Sequence, residues 1–204
     1  MANKKGSLSH IYQKDKRAFS LLAKSGAVSR DTFHRLEISD NRIKSYRLAG
    51  LIKEVSVPDK HGNGIKTFYE LTDKKGKAFC QKECGIKKFI SNGNASVHNS
   101  KVSEYLSSSL NKKELDSVMS ERELQPFIES RLQEYLDRQE HDRHQELIDA
   151  LRENRLSMPD IVYKTEQGVF QAVEVVTSNY GEAEIEAKSM TCELLSVEVT
   201  FVHT

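Results

Sequence analysis

Charge is sorted along this chain. Residues 1–92 carry 20 Lys and Arg against 9 Asp and Glu, a net +11, whereas residues 93–204 carry 11 against 21, a net −10. The total of +1 conceals the split. One domain with one core has no reason to segregate charge in this way, so the chain reads as two units, 1–92 and 93–204, with different tasks. A basic unit attracts polyanions, nucleic-acid phosphate above all. An acidic unit repels them unless a cation intervenes, and is a candidate surface for a basic protein partner.

Two small domains fit 204 residues. With 37% hydrophobic and 30% charged residues, the composition excludes a disordered or membrane-embedded chain. No apolar run approaches the ~18 residues that span a bilayer. The opening MANKKGSLSHIY is basic without an apolar stretch behind it, so no secretory signal is expected. Three cysteines, an odd number, make no disulfide framework, and a reduced, cytoplasmic setting is the expectation.

The basic half changes period in an ordered way. Ala18, Leu21 and Leu22 share one face of a helix over Lys14–Lys24, stopped at Ser25-Gly26. Ser29 suits the cap of a second helix, Arg30–Leu36, with Phe33 and Leu36 inward. Ser39-Asp40 opens a third, Asn41–Leu51, with Ile43, Leu48 and Leu51 apolar and Gly50 near its end. A strand Ile52–Val57, the turn-rich PDKHGNG and the strand IKTFYEL make a β-hairpin. Thr72-Asp73 then caps a helix to about Glu83. Gly85–Ser100, rich in Gly, Asn and Ser, contains the expected linker near Ser91–Ser96. Cys80 and Cys84 stand four apart, but no Cys or His pair joins them, so they read as buried thiols.

The order helix–helix–helix–hairpin–helix, with RIKSYRLAGLIKEV…GIKTFYELTDKKGKAF inside it, resembles the winged helix-turn-helix superfamily. The resemblance implies binding of double-stranded DNA, with the third helix in the major groove. Asn41, Arg42, Lys44, Ser45 and Arg47 are then the candidate contacts. Arg42 and Asn41 suit bidentate recognition of guanine and adenine, and Lys44 suits phosphate. Tyr46 either stacks or reaches a phosphate, or belongs to the core, as aromatics at this spacing more often do. Lys60, His61, Asn63 and Lys66 of the hairpin suit backbone or minor-groove contact. Winged helices commonly pair on two-fold sites, which implies a homodimer, with Arg122–Leu151 either the candidate contact between copies or internal to the second unit.

In the acidic half, Leu124, Phe127, Ile128, Leu132, Tyr135, Leu136, Leu147, Ile148 and Leu151 predict strongly helical structure from Glu121 to Glu153, with Pro126 in its first turn. Asp160–Lys164 and Val169–Thr177, joined by TEQG, read as a hairpin, followed by a helix Gly181–Leu195 and a strand Val197–His203. The fold class is therefore α+β, a helix-and-hairpin unit followed by a small mixed α/β unit. Glu174 lies between Val173 and Val175, where a carboxylate is costly unless exposed, hydrogen-bonded or bound to a cation. Asp160 starts the partner strand, and two such carboxylates suit Mg²⁺ or Mn²⁺. Glu121 is a third candidate.

SEREL…MPDIVY…FQAVEVV followed by a helix resembles a degenerate PD-(D/E)XK nuclease-like domain. Behind a winged helix it is similar to the replication-relaxation proteins of plasmids and other mobile elements. In active members two acids bind metal and a lysine orients the attacking water. This implies Asp160 and Glu174 as metal ligands supported by Glu121. The lysine position after the second acid is empty, since the sequence reads Glu174-Val175-Val176. Lys188, on the following helix, either replaces it from another direction or is an exposed helix lysine. Three functions stay open: a DNA-binding regulator or replication/transfer accessory factor of a plasmid, phage or other mobile element, a metal-dependent nuclease, and an adaptor with an acidic docking domain.

Overall fold

Apolar spacing becomes helix and hairpin largely where the periods change. The computed structural model describes residues 8, 10–58, 64–90, 96–177 and 180–203. Lys60, His61 and Asn63 of the hairpin, and residues 91–95 of the expected linker, lie outside the described residues. The protein is mixed α+β, with two sheets in two units, Met1–Asp116 and Ser117–Thr204.

In the first unit α1 (Gln13–Ser25) is followed by β1 (Val28–Ser29), α2 (Arg30–Arg35), α3 (Asp40–Leu48), β2 (Ile52–Pro58), β3 (Ile65–Leu71), α4 (Lys75–Cys84), α5 (Ser96–Ser109) and α6 (Lys112–Ser117). Ser29 caps α2 by accepting from the Thr32 N–H at 3.1 Å. Strand order is β1-β3-β2, antiparallel throughout, with Val28 opposite Tyr69 and Val55 opposite Phe68. Phe19, Phe33, Ile43 and Tyr46 are buried, and the Phe19 and Tyr46 rings pack edge-on at 4.9 Å. Leu51 is buried as expected, but the helix ends earlier, at Leu48. Gly50, at φ +70°, turns the chain. The Gly50 N–H bonds the Arg47 carbonyl and the Leu51 N–H that of Tyr46, a Schellman ending.

The unit boundary lies later than the expected 92/93. Helix α5 packs on α1, α2 and β1 and so belongs to the first unit. Its inward positions are Ser96, Asn99, Ser100, Val102, Ser103 and Leu106. The Ser100 and Ser103 hydroxyls donate to the carbonyls of Val97 and Ser100 at 2.7 and 2.8 Å. Those bonds satisfy the hydroxyls within the helix and let a serine-rich face pack.

The second unit holds β4 (Met119–Ser120), a 3₁₀ turn Glu121–Glu123, α7 (Gln125–Asp137), α8 (His141–Arg152), β5 (Ile161–Lys164), β6 (Phe170–Val176), α9 (Glu182–Leu194) and β7 (Glu198–His203). Strand order is β4-β5-β6-β7. β5 and β6 form the antiparallel hairpin, whereas β6 and β7 run parallel, a connection that needs a crossover, supplied by α9. Leu124, Phe127, Ile128, Tyr135, Leu147, Val162, Ala172, Cys192 and Leu195 form one cluster. The expected helical stretch from Glu121 is thus three pieces. Helix α7 ends at Asp137, and the chain turns at Gln139, whose φ is +61°, with the Glu140 N–H bonded to the Tyr135 carbonyl.

Candidate functional site

Helix α3 turns Ile43 and Tyr46 into the core. The opposite stripe is Asn41, Lys44, Ser45 and Leu48, at spacings of three, one and three that keep one helix face. Asn41 and Lys44 are exposed, and the Ser45 hydroxyl donates to the Asn41 carbonyl at 2.8 Å. The apolar spacing predicts Leu48 with the inward face, yet it is 71% exposed. Arg47 leans on β2, its Nη1 2.8 Å from Glu54 Oε2. Lys66 is exposed on β3. Between α3 and the hairpin runs an open groove of about 720 Å³, lined by Arg30, Lys44, Arg47, Leu48, Lys53 and Tyr69 among others.

Several basic side chains of this face already lie on carboxylates. Arg30 Nε donates to Asp40 Oδ1 at 2.8 Å, His34 Nε2 lies 3.0 Å from the same oxygen, and Lys53 Nζ is 3.1 Å from Glu70 Oε2. The Arg30 hydrogen bond, with help from His34, holds the Asp40 carboxyl well below the usual carboxylate range. Its negative charge at the start of α3 is thereby offset.

Arg42 does not join the outward stripe. Its Nε donates to Asp15 Oδ1 at 3.0 Å, a second N–H reaches Asp15 Oδ2, and the Tyr46 hydroxyl donates to the same carboxylate. The guanidinium lies 5.5 Å from the ring centres of Tyr12 and Tyr46. Asp15 is fully buried, and a buried carboxylate requires a cation and donors. Burial alone raises the Asp15 carboxyl, but the Arg42 bond, the Tyr12 N–H and the Tyr46 hydroxyl outweigh it and hold it below its ordinary value. Arg42 is therefore removed from the base-reading candidates and becomes a positioning residue that ties α3 to α1. The signal was available: Asp15 shares the inward face of α1 with Ala18 and Leu22, where an acid implies a partner.

In the second unit the structure brings Asp160, Glu174 and Lys188 together. Glu174 is fully buried on β6. Its Oε2 accepts from the Asp160 N–H at 2.9 Å, and Asp160 Oδ2 accepts from the Val175 N–H at 3.0 Å, a reciprocal clamp across the hairpin. Glu174 Oε1 accepts from the Tyr180 hydroxyl at 2.7 Å and lies 2.9 Å from Lys188 Nζ. Lys188 also donates to the Met158 carbonyl at 2.7 Å and is 14% exposed, so it is not a solvated helix lysine. Burial, then the Asp160 charge, raises the Glu174 carboxyl, against the Lys188 and Tyr180 bonds. No local spacing marks Tyr180, whose hydroxyl meets Glu174 only in the folded chain. Glu121 donates its N–H to the Asp160 carbonyl at 3.3 Å, but its side chain is exposed.

Cys80 is buried and Cys84 half-buried, both facing α1, with Cys80 Sγ 3.8 Å from the Phe19 carbonyl. Among the described residues no group of three His, Cys, Asp or Glu side chains is arranged to hold a metal ion, and no helix is long and apolar enough to cross a membrane. Compared with protein-family models, curated proteins and solved structures, the chain matches none.

Proposed function

We propose that this protein binds specific double-stranded DNA through its first unit, acting as a winged helix-turn-helix. The observation that carries the reading is the outward stripe of α3, Asn41, Lys44, Ser45 and Leu48, set beside the groove to the β2–β3 hairpin. Three features support it. The order helix, strand, two helices, hairpin, with strands β1-β3-β2, suits a helix-turn-helix with a wing. The unit 1–116 carries net +11. Asn41 and Lys44 have chemistry suited to adenine edges and phosphate. Lys66 lies on the hairpin as a backbone contact, and the full chain acts as a homodimer on a two-fold site. Its role is that of a regulator or replication/transfer accessory factor of a mobile element, as its resemblance to replication-relaxation proteins implies.

Selection of duplexes from a randomised library by the full chain tests this. A recurrent sequence is expected, with affinity reduced by Asn41→Ala at one base position and by Lys44→Ala across all sequences. Failure to enrich any sequence overturns it.

One observation favours a second reading, metal-dependent DNA cleavage: Lys188 meets Glu174 beside Asp160, as a relocated motif lysine would. The donor set does not fit a divalent cation as arranged. Both Glu174 oxygens are engaged by internal donors, and the Lys188 ammonium supplies the positive charge there. The cluster reads as a charge-compensated clamp on β5, β6 and α9. Incubation of plasmid DNA with the protein in Mg²⁺, Mn²⁺ or chelator separates the two readings. Metal-dependent nicking lost in Asp160→Ala and Glu174→Ala restores the nuclease.

A further inference from the structure

We infer, resting on the DNA-binding reading above, that Leu48 is a specificity residue that recognises the C5-methyl group of a thymine in the major groove. A helix lying in that groove presents residues spaced i, i+3, i+4 and i+7 to the base edges, and Asn41, Lys44, Ser45 and Leu48 have that spacing. The first three are polar. Leu48 is the apolar member, 71% exposed on the face opposite the buried Ile43 and Tyr46, and it lines the groove beside Lys44 and Arg47.

A leucine side chain neither donates nor accepts a hydrogen bond, so the phosphates and the polar base edges offer it nothing. The thymine methyl is the one apolar group that base pairs present in the major groove. Contact between the two removes apolar surface of both from water. Seven residues of helix separate Asn41 from Leu48, about 10 Å along the axis. The thymine therefore falls within roughly three base-pair steps of any adenine that Asn41 reads.

The test uses the full chain and the duplex it selects from a randomised library. Each thymidine of that duplex is replaced in turn by deoxyuridine, which pairs identically and lacks only the methyl group. For the wild type, replacement at one position weakens binding roughly fourfold, the worth of one methyl-sized apolar contact. Leu48→Ala binds thymine and uracil alike at that position, with the affinity the wild type shows for uracil. Far-UV circular dichroism of Leu48→Ala is unchanged, since the side chain lies outside the core. If deoxyuridine has no effect at any position, or the same effect on both proteins, Leu48 does not read the methyl although DNA binding stands. If no duplex is selected, the DNA-binding reading falls and takes this inference with it.

Discussion

Asp15 and Glu174 are each an acid inside an apolar pattern, and each is held by a cation from a different element. Removing the cation leaves a buried charge unmatched. Arg42→Ala is accordingly expected to cost about 3–5 kcal/mol of stability, read from urea denaturation at neutral pH, with part recovered in Arg42→Ala/Asp15→Asn. Unchanged stability together with lost DNA binding would return Arg42 to the base readers. The pH dependence of the two acids has opposite sign. Asp15 is held below its ordinary 3.8 in the folded protein, so its contribution is present above that pH and lost as pH falls through the folded value. Acid titration of wild type against Asp15→Asn should show their difference in stability shrinking below pH 3.8. Glu174 is raised above 4.5, so its ionisation opposes folding as pH rises through the folded value. Lys188→Met removes the compensating ammonium. That variant should lie closest to wild type near pH 4.5 and fall away from it with increasing pH, measured by thermal melts across the range.

At the scale of the element, apolar period located helices and strands, whereas termini followed rules that composition hides. Four helices end where a non-glycine residue takes a left-handed conformation: Glu37, Gln139, Asn154 and Ser196. After each, the N–H of the next residue bonds back to a carbonyl of the last turn, as Ile38 does to Phe33 and Val197 to Cys192. Without a glycine to mark it, the break between α7 and α8 was invisible, and 121–153 read as strongly helical throughout. Left-handed backbone costs a residue with Cβ about 1–2 kcal/mol. Gln139→Gly should therefore stabilise the protein, by up to about 1 kcal/mol after glycine's larger unfolded-state entropy is counted. A raised denaturation midpoint checks it, and a lowered one would mean that the Gln139 side chain contributes more than its backbone strain removes. Helix α5 is hidden from local spacing for a different reason, since serines occupy its buried face and mimic a linker.

For the molecule as a whole, charge revealed two units but not their border. Residues 93–116 carry three basic and three acidic residues, so moving the border from 92 to 116 leaves the balance at +11 and −10. The packing of α5 decided it. The proposed DNA binding implies an affinity that falls with salt. Each phosphate contact adds about 0.9 to the slope of log affinity against log salt. Lys44→Ala and Lys66→Ala should each lower the slope by about one, while Leu48→Ala leaves it unchanged. A slope indifferent to both lysines would place the basic interface elsewhere on the first unit.

What the sequence determined by itself is what local spacing encodes: the α+β class, the three helices and hairpin of the first unit, the β5–β6 hairpin and the helix that follows it, and the suspicion attached to Glu174. Those follow from residues a few positions apart, whose faces are set by the helical and strand periods. The tertiary structure decided which charged side chains are outward and which are paired. Arg42 and Asp15 are 27 residues apart in sequence, and only the packing of α3 on α1 shows that the arginine is engaged inward while Leu48 is left on the open face. Likewise only distance in space shows that Lys188 of α9 is paired with Glu174 and not exposed, so that the clamp supplies its own cation. Desolvation forces such pairings, and burial is a property of the assembled core that no short window of sequence contains.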